Sequence, residues 1–384
     1  MQKRIVDYEN LKKVNQPFFE EFQRSVRRTI ESGWYILGEE VKRFEREFAE
    51  YNGSKYCIGV ASGLDALTLG LDVLELPEDS EVLVPSNTYI ATVLAIIRAG
   101  LRPVLVEPER TTYNIDPERI RMQITQKTRA IMVVHLYGKL CDMSTIKAIS
   151  SEYGLAIIED CAQSHGSSWM NKKAGTFGEI GAFSFYPTKN LGALGDSGAI
   201  LTDNDNLADK LLYFRNYGSK KRYYNDYLGY NSKLDELQAG LLTVKLKYLD
   251  RINKHKNTLA TLYFRGLDAS EFVLPAQDSA YYDTHHIFPI RHPRRDALRE
   301  YLAENGVKTE VHYPVPPHKQ TAYRRFFEGQ QFPISEELHA TILSLPISYA
   351  TSEEDAHYVV EVLDRFEDRQ DKQGRGRGSR GVDL

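Results

Sequence analysis

Short, continuously apolar runs of strand length recur along the first half of the chain, at Tyr56–Ala61, Glu81–Pro85, Pro103–Val106, Ala130–Leu136, Leu155–Glu159, Ala182–Phe185 and Ala199–Thr202. Between several of them apolar residues return at helical spacing, as in Leu64–Leu74, Tyr89–Ala99 and Met143–Tyr153. Strands that are apolar on both faces belong in a mainly parallel sheet covered by helices on each side. The pattern predicts an α/β unit, a mainly parallel seven-stranded sheet sandwiched by helices, with function at the strand C-terminal ends.

Past this unit the pattern changes. A polar connection, Asn216 to Ser232, leads into a helical run, Leu234–Lys256, whose basic residues gather toward its end as the helix dipole favours. This run is expected to bridge two units. Strand His286–Arg291, helix Arg295–Glu304, strand Val307–Tyr313, a proline-rich turn and a helix near Glu353–Phe366 then describe a smaller α+β domain. The expected division is an N-terminal segment with the large domain over 1–245, a small C-terminal domain over 246–367, and a tail over 368–384. The tail is rich in Arg, Gly and Gln and too poor in apolar residues to offset its ordering entropy, so it is expected to be disordered.

Composition narrows the class. The 49 Lys+Arg against 53 Asp+Glu leave a net charge of -4, with basic residues spread along the chain except near the C-terminus. Nothing beyond that Arg/Gly tail points to nucleic acid. Cys57, Cys141 and Cys161 lie in or beside apolar runs without a C-x-x-C pair, as small buried residues do in a reducing compartment. The N-terminus has no apolar stretch after its basic pair, and no run approaches the length of a membrane span. A cytoplasmic protein, not bound to membrane, is expected.

The chemistry gathers around two residues. Lys189 lies in Gly181-Ala182-Phe183-Ser184-Phe185-Tyr186-Pro187-Thr188-Lys189-Asn190-Leu191-Gly192, and upstream the run Leu155-Ala156-Ile157-Ile158 ends in Glu159-Asp160. A carboxylate at the end of a buried strand and a lysine on a glycine-rich turn are what pyridoxal phosphate needs: an anion for its pyridinium nitrogen and an amine for its aldehyde. Each alone has an ordinary reading, Asp160 as a helix cap and Lys189 as a solvated lysine. Glu159 falls on the opposite strand face.

Ser62-Gly63-Leu64-Asp65-Ala66-Leu67 forms a strand-to-helix turn whose free amides suit a phosphate. On local sequence alone a plain capped turn is the commoner reading, and Asp65 would oppose an anion unless it points away. Tyr89 suits stacking on a flat ring, or simple packing. There is no G-x-G-x-x-G after a first strand, and no Walker A lysine, G-x-S-x-G elbow or H-E-x-x-H. His285 and His286 are adjacent on an expected strand and face opposite ways, so no metal site is expected.

With these residues in place, the chain resembles the DegT/DnrJ/EryC1/StrS sugar aminotransferases, within the fold-type I, aspartate-aminotransferase-like enzymes. The resemblance runs from about Gly33 to Phe366 and rests on ordered motifs: Gly33-Trp34-Tyr35-Ile36-Leu37-Gly38, Ser62–Leu67, Glu159-Asp160-Cys161-Ala162-Gln163-Ser164-His165-Gly166, Ser184–Gly192 and Asn231-Ser232-Lys233-Leu234-Asp235-Glu236-Leu237-Gln238-Ala239. It implies that Lys189 joins the aldehyde of pyridoxal 5'-phosphate, Asp160 pairs with the ring nitrogen, Gln163 bonds the ring hydroxyl and Tyr89 stacks on the ring. It further implies that Gly63, Leu64 and Ser184 hold the phosphate, with Asn231 reaching in from the partner subunit of a homodimer with shared sites.

The residues around Lys189 and the His135-Leu136-Tyr137-Gly138 segment resemble members that aminate C3 of a nucleotide-linked 3-keto sugar. The resemblance implies a dTDP-3-keto-6-deoxyhexose as acceptor and L-glutamate as donor, in deoxyamino-sugar biosynthesis of the kind that supplies lipopolysaccharide O-antigens and S-layer glycans. Tyr35, Tyr186, His312 and Tyr313 are then the candidate sugar contacts. Amination at C4, a UDP-sugar, and a non-catalytic nucleotide-sugar-binding regulator on the same fold are the alternatives. A keto-sugar dehydratase of this fold lacks the lysine, so Lys189 argues against it. Lys139 departs from the family pattern, which commonly has glutamine there, as do Cys161 and Thr188. Lys139 reads equally as a charge near the substrate phosphates or as a rim residue.

Overall fold

The computed structural model describes residues 4–376, with side chains described through Phe366. Seven strands, β1 (Tyr56–Val60), β2 (Glu81–Pro85), β3 (Arg102–Val106), β4 (Thr128–Val134), β5 (Ala156–Asp160), β6 (Ile180–Ser184) and β7 (Gly198–Thr202), form one sheet in the order β1-β7-β6-β5-β4-β2-β3. Strand β7 runs antiparallel to both neighbours, and the other four pairings are parallel.

Both sheet faces are buried, and successive residues serve opposite cores. On β4, Ile131 and Val133 join one core while Ala130 and Met132 join the other. Ile157 and Ile158 divide the same way on β5. This is why the strands read as unbroken apolar runs. Helix α1 (Glu39–Asn52) covers the first face with Phe44 and Phe48. Helices α2 (Gly63–Asp72) and α3 (Ile90–Arg98) cover the second with Leu67, Leu69, Leu71, Val93 and Ile96. The strand C-terminal ends and the start of α2 therefore share one edge.

A separate core holds Leu259, Tyr263, Leu298, Leu302, Val359 and Leu363 around the antiparallel pair β8 (Phe288–Arg291) and β9 (Ile342–Leu345). Val6 also joins this core and bridges to Val307, so the second unit draws on the chain start as well as on residues after 246. The expected strand Val307–Tyr313 is not formed; single bridges at Val307 and Glu310 take its place, and the ladder goes to the short Ile342-Leu343-Ser344-Leu345 run instead. The run Leu234–Lys256 is two helices, α4 (Glu236–Leu246) and α5 (Leu249–Gly266), parted at Lys247-Tyr248. The final helix extends over Glu353–Gly376, into residues expected to be disordered; the rest of that tail, 377–384, lies outside the described residues.

Candidate active site

A cavity of about 600 Å³ opens at the shared edge, where β1, β4, β5 and β6 end. Its walls include Gly63, Leu64, Tyr89, Asp160, Gln163, Ser184, Tyr186, Lys189, His312 and Tyr313, ten of the twelve residues singled out from the sequence. Asn231 and Tyr35 do not line it. Both are exposed on the single chain, Asn231 taking a contact from Lys233 and Tyr35 sitting among the exposed apolar residues Trp34 and Ile36.

Asp160 is the last residue of β5 and is buried. Thr92 Oγ1 donates to its Oδ2 at 2.8 Å and the Ala162 N–H to its Oδ1 at 3.1 Å, which fixes the carboxylate plane. Burial raises its pKa, against those two donors and the nearby Lys189 charge. Glu159 points the other way, as alternation requires. Its carboxylate accepts the N–H groups of Gly175, Phe177 and Gly178 at 2.6 to 2.9 Å and meets His135 Nε2 at 2.9 Å.

The Cys141 N–H donates to His135 Nδ1, so Nδ1 carries a lone pair and Nε2 donates to Glu159. His135, Glu159 and Cys161 bring ligand-type atoms within 4.8 Å of one another. Both histidine nitrogens and the carboxylate are already committed, so this cluster ties the loop after β5 to the sheet.

Lys189 sits on a turn closed by its own N–H to the Tyr186 carbonyl at 2.8 Å. Its amine makes no ion pair among the described residues. Removal from water pulls its pKa down to about 8, and Asp160 opposes that fall. The turn is held from behind by residues without a sequence signal. Asn190 Nδ2 donates to Asn253 Oδ1 and to the Thr284 carbonyl at 2.9 and 3.0 Å, while buried Lys256 donates to Asn190 Oδ1 at 2.9 Å. Buried Lys245 donates to the Gly192 carbonyl at 2.8 Å.

The same cavity wall also offers donors to an anion. Helix α2 makes its first intrahelical bond from Ala66 N to Ser62 O, and Ser62 Oγ caps the Asp65 N–H at 3.1 Å. The Gly63 and Leu64 N–H groups stand ahead of that bond, beside Ser184. A Cβ at Gly63 would lie 2.4 Å from Ser184 Cβ, so only glycine lets the helix start come so close to the end of β6. Asp65 is turned away, its Oδ2 accepting from Ser232 Oγ at 2.7 Å, which removes the objection to an anion. The donors of a phosphate cradle, an amine of lowered pKa and a buried carboxylate thus line one cavity, and this set fits pyridoxal phosphate.

Gln163 Oε1 accepts the Tyr137 N–H at 2.6 Å and its Nε2 donates to the Tyr313 hydroxyl at 2.9 Å, so its amide orientation is fixed. The Tyr89 and Tyr313 rings lie 5.2 Å apart at the cavity mouth. Lys139 does not line this cavity. It pairs with Asp283 at 3.1 Å, mostly buried, and stands over the Tyr281 ring outside this cavity.

A family model described as the DegT/DnrJ/EryC1/StrS aminotransferase family matches residues 18–364. A dTDP-3-amino-3,6-dideoxy-alpha-D-galactopyranose transaminase from Aneurinibacillus thermoaerophilus is 49% identical over 362 residues, covering 94% of this chain and 99% of its own. Among solved structures, S. venezuelae DesV in complex with a ketimine intermediate superposes with a TM-score of 0.92 at 39% identity, covering 94% of this chain and 98% of its own. NtdA from Bacillus subtilis with bound cofactor PMP gives 0.89 at 31% identity, over 95% and 86%.

Proposed function

Because the chain belongs to the DegT/DnrJ/EryC1/StrS aminotransferase family, and is a pyridoxal-phosphate-dependent transaminase of nucleotide sugars, we propose that it moves an amino group from L-glutamate to C3 of a dTDP-linked 3-keto-6-deoxyhexose. The observation that carries this reading is the single cavity in which the Lys189 amine and the Asp160 carboxylate lie beside the anion-binding start of α2. A non-catalytic regulator has no need of a lysine amine that faces the cavity beside that carboxylate rather than bonding the fold, as the buried Lys245 and Lys256 do. The C3 position and the dTDP group draw support from the Aneurinibacillus relative, whose name carries both.

When bound, pyridoxal phosphate supplies the carbonyl that carries the amino group and the ring that withdraws electrons from the carbon losing its proton. Gly63, Leu64 and Ser184 would hold its phosphate, and Asp160, oriented by Thr92 and Ala162, would keep the ring nitrogen protonated by charge attraction. Gln163 would face the ring hydroxyl and Tyr89 the ring plane. Lys189 Nζ takes up and returns the proton at the reacting carbon, a role its pKa of about 8 suits near neutral pH. Tyr186, His312 and Tyr313 would contact the hexose.

A homodimer with shared sites completes the reading. Trp34, Tyr35, Ile36 and Leu194 are exposed apolar residues, each more than 45% accessible, and a second copy seated there would cover Tyr35 and bring Asn231 to the neighbouring cavity. Three free, buried cysteines accord with a cytoplasmic enzyme, and the aminated sugar would serve O-antigen or S-layer glycan assembly. Borohydride reduction of the yellow holoenzyme followed by peptide mass spectrometry should place the pyridoxyl mass on Lys189, and Lys189→Ala should carry none and not turn over. A colourless protein that takes up no pyridoxal phosphate sinks the proposal.

A further inference from the structure

His286 lines the cavity with Lys189 but has no place in the account so far. Its ring state is set by a chain of bonds that starts on α5. Asn253 Nδ2 donates to the His165 carbonyl at 2.9 Å, which leaves Asn253 Oδ1 as an acceptor for Asn190 Nδ2. The second Nδ2 hydrogen of Asn190 goes to the Thr284 carbonyl. With both its hydrogens given to oxygens, and Lys256 donating to its Oδ1, the Asn190 amide has one orientation.

His286 Nδ1 lies 3.3 Å from that same Oδ1. An oxygen can only accept, so Nδ1 carries the hydrogen. Burial and the neighbouring Lys189 and Lys256 charges hold the imidazole neutral. Nε2 is then left with a lone pair and no partner among the described residues.

Resting on the proposed keto-sugar reaction, we propose that His286 Nε2 is a fixed hydrogen-bond acceptor that binds a hydroxyl of the sugar next to its reacting carbon, with Asn190 and Lys256 as the positioning residues that set its tautomer. The chemistry of the two substrates makes it selective. Glutamate's side chain and α-carboxyl are anionic acceptors, which a bare lone pair repels, whereas a hexose brings O–H donors. Tyr313 complements it. Its hydroxyl accepts from Gln163, so its own proton is directed elsewhere, and one cavity presents both an acceptor and a donor to a sugar.

The test separates the two half-reactions of the holoenzyme. His286→Leu should lower kcat/KM for the dTDP-3-keto-6-deoxyhexose roughly tenfold, the size of one neutral hydrogen bond, and leave the single-turnover rate with L-glutamate unchanged. His286→Gln, which keeps an acceptor, should recover part of the loss. With the analogue lacking the partner hydroxyl, at C2 or at C4, wild type and His286→Leu should react alike. In [15N]histidine-labelled protein, the resonance pair lost in His286→Leu should show a protonated Nδ1 and a bare Nε2, and Lys256→Met should blur that assignment. A protonated Nε2, an equal loss in the glutamate half-reaction, or a loss that persists with both deoxy analogues overturns the proposal. Wild-type enzyme that aminates no keto-sugar removes the reaction itself, and this inference with it.

Discussion

Replacing Gly63 with alanine tests the phosphate cradle at the point where the fold leaves least room. The new Cβ would lie 2.4 Å from Ser184 Cβ and 3.0 Å from Ser184 Cα, where ordinary contact begins at 3.4 Å. Either the start of α2 or the end of β6 must therefore retreat by about 1 Å, enough to take an N–H···O bond of ordinary length out of bonding range. A hydrogen bond to a charged phosphate contributes about 1.5–3 kcal/mol, so losing one weakens pyridoxal phosphate roughly 10- to 150-fold.

Stability of the apo-protein should fall by only about 0–2 kcal/mol, because two effects oppose. Overpacking costs about 1–3 kcal/mol while alanine in a helix gains up to about 1 kcal/mol over glycine. Equilibrium titration of apo-protein in phosphate-free buffer measures the affinity, and pyridoxal without its phosphate is the control. Gly63→Ala should weaken the phosphate ester and leave pyridoxal nearly unaffected. Affinity for pyridoxal phosphate within about twofold of wild type, with an unchanged melting temperature, would refute the steric reasoning.

In apo-protein the neutral Lys189 amine should react with an acylating reagent along a curve centred near pH 8, since burial disfavours its charged form. Asp160→Asn removes the charge that favours the ammonium, so the midpoint should move below 8; a midpoint near that of a surface lysine, or a rise in the variant, would count against the shared cavity. Glu159→Gln would set an amide against backbone N–H groups in a fully buried site, and should lower stability by about 3 kcal/mol or more without altering the residues that face the cofactor. An unchanged melting temperature for Glu159→Gln would show that those bonds carry nothing.

The strands of the large sheet were legible because burial on both faces leaves apolar runs with sharp polar ends. Glu81–Pro85 and Met143–Tyr153 match the structure to the residue. The second unit was less legible. Strand β9 is four residues long, directly follows a helix, and finds its partner β8 far back in the chain, so nothing local marks it. The break at Lys247-Tyr248 likewise lacks glycine or proline.

Within the site, Lys189 and Asp160 were visible through motif and strand-end position. Glu159 could be assigned a direction by alternation, but not its partners, since Gly175, Phe177 and Gly178 reach it only after the loop folds back over β5. Asn253, Lys256 and Thr284 were missed for the same reason. They act on Asn190 from 63 to 94 residues away, and a buried lysine looks like any other lysine until its surroundings are known. Lys139 shows the converse: its charge read equally as a contact to substrate phosphates or a rim residue, and only the fold reveals its partner, Asp283.

The central claim is a transfer of nitrogen, and it is tested most directly by following the atom. Purified enzyme with pyridoxal phosphate, [15N]glutamate and dTDP-3-keto-6-deoxyhexose should yield a nucleotide sugar heavier by the labelled amine, with the label at C3 by NMR, and an equal amount of 2-oxoglutarate. Product lacking the label, or label at C4, or 2-oxoglutarate formed with no aminated sugar from any 3-keto or 4-keto nucleotide sugar offered, would contradict it.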